Sequence, residues 1–307
     1  MKTRQPGNAL LLIRPANFGF NEETYASNPF QSRGTNYNNT NSQKMGLNEF
    51  DNLIDTLRKN DIETIVFEDT ATPVKPDAIF SNNWISIIPG GELIIYPMLT
   101  LNRKTEIRQD IIKYLQENYN ITDTIDLSQE KQVLEGTGSL VFDHDFRTIY
   151  CSLSERSNRN LLLKLCDMID YTPVFFEAMD LNQKPIYHTN VLLCITPGFV
   201  IICLETLKNK DEQDCILNKL KNANKHIIEI SYRQMIDMCA NTLSVLDQSD
   251  NECLVMSTKA YKSFTKTQLE QIQSRVRIIH SEIQHIENVG GGGIRCMLTS
   301  IHLAKVS

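Results

Sequence analysis

The chain has 307 residues, of which 41% are hydrophobic, so it can bury a large core in one large domain or in two ordinary ones. Its formal net charge is −6 and its Lys and Arg residues are dispersed, which excludes the basic surface typical of proteins that bind nucleic acid or an anionic membrane. We therefore expect a small polar molecule as its partner, and the sequence predicts no oligomeric state.

The N-terminal segment and the cysteines bear on the cellular compartment. The apolar run Ala9-Leu10-Leu11-Leu12-Ile13 is too short for a signal peptide, and no stretch approaches the ~18 apolar residues of a transmembrane helix. The eight cysteines lie mostly within apolar patterns, without a Cys-x-x-Cys pair. This usage is typical of reduced, buried thiols, so we expect a cytoplasmic protein.

The first third of the chain predicts a strand at residues 10–13, a helix at 46–59 and a second strand at 63–67. Residues 27–43 are rich in Asn, have no apolar period and predict a long loop. Loops of this length are uncommon unless they are lids or disordered segments. We hypothesise a lid over the functional site, and a plain solvated insertion is the alternative.

An internal repeat organises the rest of the chain. Five segments begin with small or polar residues and run into an apolar strand, and their matching positions are separated by 55, 52, 51 and 52 residues. These positions are Asn83, Gly138, Asn190, Asn241 and Gly293. Each of the first four segments continues with a hairpin turn and a second strand, then a helix and a third strand. The helices are predicted at residues 105–118, 157–169, 211–222 and 265–275, and the third strands at 121–127, 172–176, 226–230 and 276–283.

The fifth segment has only its first strand, and the N-terminal strand, helix and strand provide the parts that it lacks. The sequence therefore predicts a single α/β domain over residues 1–307, a fivefold pseudosymmetric propeller of five ββαβ units in which the N-terminal strand closes the ring. Equivalent strand starts would then surround a central axis that carries the catalytic site. A doubly wound α/β domain is the alternative, but it does not explain two hairpin strands in each unit.

Reactive side chains occur at the predicted strand starts. Cys296 follows a run of four glycines, His188 begins the third segment and Glu135 begins the second. A cysteine and a histidine can form a thiolate nucleophile, and a carboxylate that orients the imidazole completes such a site. Taken singly, Cys296 could be an apolar core residue, His188 a satisfied core histidine and Glu135 a turn residue. No His, Cys or carboxylate set has metal-ligand spacing, so we expect neither a metal nor a cofactor.

At these residues the sequence resembles the amidinotransferase and arginine deiminase superfamily, which includes the dimethylarginine dimethylaminohydrolases, and it most resembles bacterial citrulline-utilisation hydrolases. The stretches that carry the resemblance cover nearly the whole chain. They are Arg14-Pro15-Ala16-Asn17-Phe18, Asn28-Pro29-Phe30-Gln31, Pro76-Asp77-Ala78-Ile79-Phe80-Ser81-Asn82-Asn83-Trp84, Glu135-Gly136-Thr137-Gly138-Ser139, Ser154-Glu155-Arg156-Ser157-Asn158, Tyr187-His188-Thr189-Asn190-Val191 and Gly291-Gly292-Gly293-Ile294-Arg295-Cys296-Met297.

The resemblance implies a fivefold α/β propeller and a catalytic Cys296, His188 and Glu135. It also implies that Asp77 hydrogen-bonds the N–H groups of the substrate. Arg103 and Arg156 are expected to bind the α-carboxylate of an amino acid, since a fork of donors suits that ion. An exposed charge at the entry of a helix is the alternative for Arg103. Asn83 and Asn190 complete the predicted substrate-binding residues.

In the mechanism that the resemblance implies, Cys296 attacks the central carbon of a guanidino or ureido group, and His188 protonates the departing amine and then activates water. Many relatives carry an aspartate where this chain has Asn190. Amides suit a neutral ureido group better than a guanidinium, so we expect hydrolysis of citrulline to ornithine, ammonia and carbon dioxide. The alternatives are an arginine deiminase, a dimethylarginine dimethylaminohydrolase, an amidinotransferase or, from another class, a non-catalytic binding protein of the same fold.

Overall fold

The structure is a computed structural model and describes residues 4–34 and 37–306. Its strands are β1 Ala9–Arg14, β2 Glu63–Glu68, β3 Ile85–Ile87, β4 Glu92–Ile95, β5 Asp123–Asp126, β6 Val141–Asp143, β7 Thr148–Ser152, β8 Thr172–Phe176, β9 Leu193–Ile195, β10 Phe199–Ile202, β11 His226–Glu229, β12 Leu243–Leu246, β13 Glu252–Ser257, β14 Arg277–Ser281 and β15 Thr299–Ile301.

The helices are α1 Glu22–Tyr25, α2 Asn39–Lys59, α3 Leu101–Lys104, α4 Gln109–Asn118, α5 Gly136–Ser139, α6 Arg159–Ile169, α7 Lys210–Asn222, α8 Tyr232–Ile236, α9 Thr258–Ser263, α10 Lys266–Gln273, α11 Gln284–Gly290 and α12 Ile294–Met297. Short 3₁₀ turns lie at Ser81–Asn83, Thr189–Val191 and Leu204–Thr206. No helix within the described ranges is long and apolar enough to cross a membrane.

The strands form five sheets of three strands each, which confirms the predicted repeat. The strand orders are β15-β1-β2, β3-β4-β5, β6-β7-β8, β9-β10-β11 and β12-β13-β14. In every sheet the middle strand pairs antiparallel with the first strand and parallel with the third. A hairpin can join the antiparallel pair, whereas the parallel pair needs a longer crossover, which contains a helix in each unit.

The first sheet joins the two ends of the chain, as the sequence predicted. Leu11 in β1 lies opposite Thr299 of β15 on one side and Ile65 of β2 on the other. Helix α2 covers this sheet with Phe50, Leu53 and Leu57, whose core cluster also contains residues of β13 in the fifth sheet. One helix therefore packs the N-terminal sheet against the last complete repeat.

Two predicted boundaries were wrong. Helix α2 begins at Asn39 instead of residue 46, so the last part of the predicted loop 27–43 is helical, while residues 35 and 36 of that loop lie outside the described ranges. The side chain of Asn38 caps this helix by accepting a hydrogen bond from the Asn41 N–H. The first turns are polar and mostly exposed, which is why they lack an apolar period.

The helix predicted at residues 105–118 begins only at Gln109, as α4, and the short helix α3 precedes the predicted range at Leu101–Lys104. Arg103, near the end of α3, is buried and forms an ion pair with Glu106, and Arg108 before α4 has an extended backbone. The two side chains are only three residues apart, but both are buried, and local periodicity does not reveal that the surrounding fold encloses them.

Helical turns at the start of the repeats position the functional residues. One turn of helix precedes the first strand in four of the five sheets of the described chain, at Ser81–Asn83, α5, Thr189–Val191 and α12. The turns contact one another, with α5 against Ser81–Asn83 and Thr189–Val191, and α12 against Ser81–Asn83. Side chains from distant repeats are thereby brought together.

Replacing Leu11 by alanine tests the sheet that joins the chain ends. Leu11 is completely buried in the middle strand, so we expect Leu11→Ala to lower the free energy of unfolding by about 2–5 kcal/mol. The matched control is Asp55→Ala on the exposed face of α2, which should change it by less than about 0.5 kcal/mol. Urea unfolding of both variants measures the difference, and equal stability would contradict this role of β1.

Candidate active site

Six of the predicted site residues line one narrow cavity. They are Asp77, Asn83, Arg103, Arg156, His188 and Cys296. The other two, Glu135 and Asn190, hydrogen-bond to members of this set. The free volume of this cavity is only about 10 Å³, far below the ~300 Å³ at the lower end of ordinary ligand pockets. Four repeats contribute to its walls, namely the first, second, third and fifth, and Asn28 adds the segment after β1.

Cys296 is positioned by the glycines that precede it. Gly291 ends helix α11 with a φ of 68°, in the left-handed region that favours glycine. A β-carbon on Gly293 would lie 2.6 Å from Oδ1 of Asn241, so only glycine allows α12 to approach that side chain. The glycine run therefore brings Cys296 against Asn241, a contact for which the sequence predicted no role.

Two amides surround the Cys296 thiol. Nδ2 of Asn241 donates to Sγ at 3.3 Å and Nδ2 of Asn190 donates at 3.5 Å. Burial raises the pKa of Cys296, while the two amides and the neighbouring positive charge of Arg295 act to lower it. The resting group is thus a thiol whose charged form already has donors in place.

His188 and Glu135 form a buried pair. Nε2 of His188 lies 2.8 Å from Oε2 of Glu135. Burial lowers the pKa of His188 to about 4, although Glu135 acts to raise it, so the imidazole is neutral at pH 7. Because the ionised carboxylate accepts the proton of Nε2, the other nitrogen, Nδ1, carries the lone pair of a base.

The Glu135 carboxylate is held in its charged form. Burial alone would raise its pKa, but the positive charge of Arg156 and the hydrogen bond from His188 outweigh burial and keep the pKa below its usual value. Nη1 of Arg156 lies 3.2 Å from Oε2, and the backbone N–H of Leu99 donates to Oε1 at 3.0 Å.

Asp77 presents one unpaired oxygen in the cavity. Its Oδ2 accepts hydrogen bonds from Nδ2 of Asn21 at 2.7 Å and from Oγ1 of Thr24 at 3.1 Å. Its Oδ1 is buried and has no partner among the residues that the structure describes. Burial raises the pKa of this carboxyl group, and the charge of Arg103 opposes the rise. Oδ1 is therefore an acceptor that awaits a donor.

The two arginines differ in the donors that they have left. Nε and Nη2 of Arg103 both bind the Glu106 carboxylate at 2.9 Å, and Nη1 donates to Oδ1 of Asn83 at 2.8 Å. These bonds occupy the fork that we expected to bind a substrate carboxylate. Arg156 keeps a buried Nε without a partner in the described chain. Of the two arginines, Arg156 therefore keeps the N–H donor that could bind a substrate carboxylate. Glu106, which occupies Arg103, was not predicted because no motif or spacing in the sequence distinguishes it from other glutamates.

The segment after β1 packs over the cavity. Nη2 of Arg156 donates to Oγ of Ser27 at 2.5 Å, and Nδ2 of Asn28 donates to the Gly291 carbonyl at 3.3 Å. Asn21 and Thr24, which hold Asp77, come from the same segment. The sequence indicated residues 14–18 and 28–31 through their resemblance to the superfamily and residues 27–43 as a possible lid, but it gave no role to Asn21 or Thr24. Among the described residues, no group of three or more His, Cys, Asp or Glu side chains could hold a metal ion.

Fold and site together define a class of α/β hydrolases that combine a cysteine with a histidine–carboxylate pair. The family model described as N,N dimethylarginine dimethylhydrolase, eukaryotic, matches residues 14–303. The chain therefore belongs to this family, and it is a hydrolase that acts on the C–N bonds of amidino groups. No curated protein sequence matches the chain.

Solved structures share the fold at low sequence identity. The N-terminal domain of ArgZ with substrate, an arginine dihydrolase of the cyanobacterial ornithine–ammonia cycle, superposes with a TM-score of 0.75 at 16% identity, covering 95% of this chain and 97% of that domain. A mutant of AgrE with L-arginine gives 0.74 at 14% identity, covering 95% of this chain and 40% of AgrE. A dimethylarginine dimethylaminohydrolase adduct gives 0.66 at 13% identity, covering 96% and 100%. The chain spans 42% of full-length ArgZ.

Gly138→Ala tests the packing around His188. A β-carbon at this position would lie 2.4 Å from Nδ2 of Asn83 and 2.8 Å from Nδ1 and Cε1 of the imidazole, so the Asn83 side chain and the ring must both move. A displacement of about 1 Å costs on the order of 100-fold in rate, and we expect at least that loss of kcat/KM for amidino hydrolysis. The matched control is Gly198→Ala, where no atom lies within 4 Å of the added carbon and activity should be retained.

Asn241→Ala tests the donors to the thiol. Losing a hydrogen bond to the charged sulfur should raise the apparent pKa of Cys296 and slow its alkylation by iodoacetamide at pH 8 about tenfold. The measurement is a pH profile of the alkylation rate in a Cys215→Ser background, because Cys215 is the exposed cysteine. Asn224→Ala, on an exposed turn, is the control, and an unshifted profile in Asn241→Ala would contradict the role of this amide.

Proposed function

We propose that the chain hydrolyses the guanidino group of arginine or an N-methylated arginine, with Cys296 as nucleophile. The observation that carries this proposal is the joint presence, around one buried cavity, of a cysteine thiol, a neutral imidazole oriented by a carboxylate, and a carboxylate oxygen without a partner. These are the nucleophile, the base and the anchor for a planar group rich in N–H donors.

In the proposed reaction, Asp77 accepts hydrogen bonds from the guanidinium and Nδ1 of His188 takes the thiol proton. The Cys296 sulfur forms a bond to the central carbon, the bond from that carbon to one nitrogen breaks, and His188 returns the proton to the departing amine. His188 then deprotonates a water molecule that attacks the same carbon and displaces the sulfur. The products are citrulline and ammonia or a methylated amine.

The charges around the cavity favour a guanidinium. Asp77, Glu106 and Glu135 are three buried carboxyl groups, and Arg103 and Arg156 are two buried cations. A cationic substrate would stabilise the charged form of Asp77, whose pKa burial raises. It would also lower the pKa of the buried Cys296 thiol, whereas a neutral ureido group would not.

The position of Asn190 does not support the preference for citrulline that we inferred from its amide. We expected its amide to suit a ureido group, but Nδ2 of Asn190 donates to the Cys296 sulfur, so its contact is with the nucleophile. The same residue is thus compatible with either substrate. The proposed preference therefore moves from citrulline to arginine-type compounds.

Hydrolysis of citrulline to ornithine, ammonia and carbon dioxide is the second candidate. The observation that favours it is the buried amides of Asn82 and Asn83, because Nδ2 and Oδ1 of Asn82 and Nδ2 of Asn83 have no partners among the described residues. An arginine dihydrolase, the activity named for ArgZ, would combine both steps. An amidinotransferase would replace water by an amine, and a non-catalytic binding protein would carry out neither step.

We also propose that the five sheets close into one fivefold ring, which forms a single domain with the site on its axis. Contacts between neighbouring sheets support this arrangement, including those of β15 with β3, β6 with β9, and β1 with β12. Further support comes from a second cavity, which is lined by residues of β3, β6, β9, β12 and β15, the first strands of all five sheets.

Two smaller proposals accompany the function. Residues 27–34 act as a lid that must open for a substrate, because Ser27 and Asn28 bind the cavity wall directly and the cavity is small. The cytoplasm is the proposed compartment because all eight cysteines are free thiols, and seven of them are buried.

The test is incubation of the purified protein with arginine, dimethylarginine and citrulline separately, followed by amino-acid analysis. Citrulline formed from either guanidino compound supports the first proposal, whereas ornithine from citrulline supports the second. The Cys296→Ser variant should lose activity by a factor of more than about 1,000 while keeping the thermal unfolding temperature of the wild type. Full activity of that variant would exclude the covalent mechanism, and Cys215→Ser is the matched control at an exposed cysteine.

A further inference from the structure

A second cavity lies on the other side of the helical turns that carry the candidate active site. It is lined by Thr137 of α5 and Arg295 of α12, whereas the active-site cavity is lined by Cys296 of α12. The two cavities have no lining residue in common. Consecutive residues of one helical turn thus face two separate cavities, so a ligand in the second would lie close to the nucleophile without touching the substrate.

Arg295 is a half-buried cation that has no counter-ion among the described residues. Its Nη1 donates to the Leu298 carbonyl at 3.2 Å, and no described Asp or Glu lies within ion-pair distance of its guanidinium. No Asp or Glu is found among the described residues that line the second cavity either. Arg103 and Arg156, by contrast, are both paired with carboxylates. A guanidinium in the protein interior without an anion is costly, and burial lowers the pKa of Arg295.

The other residues that line this cavity provide hydroxyl groups and partly shield the cavity from solvent. The hydroxyl of Thr242 is buried, and apart from a contact with the Cys194 thiol it has no hydrogen-bond partner in the described chain. Thr137 contributes a second hydroxyl, which donates to the Asn82 carbonyl at 3.4 Å. The remaining wall contains both apolar side chains, such as Phe142, and polar ones, such as His302. Because protein atoms surround much of the cavity, a charge within it is screened less than at the surface, so a bound anion would be attracted to Arg295.

We propose that this second cavity binds a small oxyanion, a phosphate or a carboxylate, through the guanidinium of Arg295 and the hydroxyl of Thr242. The fork of an arginine suits two oxygens of either ion, and a hydroxyl completes the set of donors. We further propose that the bound anion lowers the reactivity of Cys296. This second part rests on the proposed function, whereas the binding itself does not.

The link to Cys296 is electrostatic. The charge of Arg295 is one of the influences that lower the pKa of the adjacent thiol, opposing the effect of burial. An anion paired with Arg295 cancels that influence and favours the protonated thiol. The nucleophile then forms less readily, although the substrate cavity is unchanged. Inhibition of this kind affects kcat and leaves substrate binding largely intact.

Binding is tested by calorimetric titration of the full chain with inorganic phosphate, and separately with acetate, at constant ionic strength. We expect saturable binding of at least one of the two ions, and the pair of titrations distinguishes phosphate from carboxylate. Arg295→Gln should weaken binding at least tenfold and Thr242→Val several-fold. Arg275→Gln removes an exposed arginine and serves as the matched control with unchanged affinity. Thermal unfolding checks that each variant is folded.

A further variant distinguishes anion binding in this cavity from anion binding in the active site. Arg156→Gln removes a cation of the substrate cavity and should leave the affinity for the anion unchanged. Absence of saturable binding by the folded wild type, or equal affinity in Arg295→Gln, overturns the proposal. Loss of binding in Arg156→Gln together with competition by the substrate also overturns it, because it places the anion in the active site.

The effect on Cys296 is measured as the rate of iodoacetamide alkylation in Cys215→Ser, with and without saturating anion. We expect a several-fold slower reaction with the anion present, and no such change in Arg295→Gln. Anion binding without slower alkylation overturns the coupling. Because alkylation needs no turnover, this result is independent of whether any proposed substrate is hydrolysed.

Discussion

The buried charge of Glu135 is the constraint on which the candidate site depends. This carboxylate receives the backbone N–H of Leu99, the guanidinium of Arg156 and the imidazole of His188. Removing one partner of such a group leaves a buried charge uncompensated, at a cost of about 3–5 kcal/mol. The same contacts hold the His188 proton on Nε2 and connect the second repeat to the third. The contacts of the Glu135 carboxylate therefore contribute both to the stability of the fold and to the orientation of the His188 imidazole.

The repeats explain how these groups meet. In the described chain, four of the five units begin with a short helical turn before the first strand, and turns of different units contact one another. Glu135, His188 and Cys296 are separated by at least 53 residues along the chain, yet all three are carried on or beside such turns. The segment after β1 adds the contacts that a repeat does not contain, because Asn21 and Thr24 bind Asp77 and Ser27 binds Arg156.

Without a substrate, the Cys296 thiol and the His188 imidazole are both in their uncharged forms. Burial raises the pKa of the Cys296 thiol and lowers that of the His188 imidazole, so both are neutral at pH 7. A cationic substrate would supply the positive charge that favours the thiolate at the moment of binding, and Arg295 supplies part of it permanently. The proposed preference for a guanidinium and the proposed anion site thus follow from the same electrostatic balance at one sulfur atom.

The sequence by itself determined the repeat, the three-stranded units and the joining of the two chain ends, because hydrophobic periodicity and the spacing of polar strand starts are local properties. It also indicated the eight site residues that the structure brings around one cavity, although their roles remain predictions. Only the tertiary structure decided which side-chain N–H groups are already hydrogen-bonded within the protein and which remain available to a ligand. Glu106 occupies the fork of Arg103, Asn190 and Asn241 turn their amides towards sulfur, and Arg295 has no acidic partner among the described residues. The amides of Asn190 and Asn241 are 106 and 55 residues away from Cys296 along the chain, so no local pattern records these contacts. Arg103 and Glu106 are close in sequence, but their burial depends on the surrounding fold.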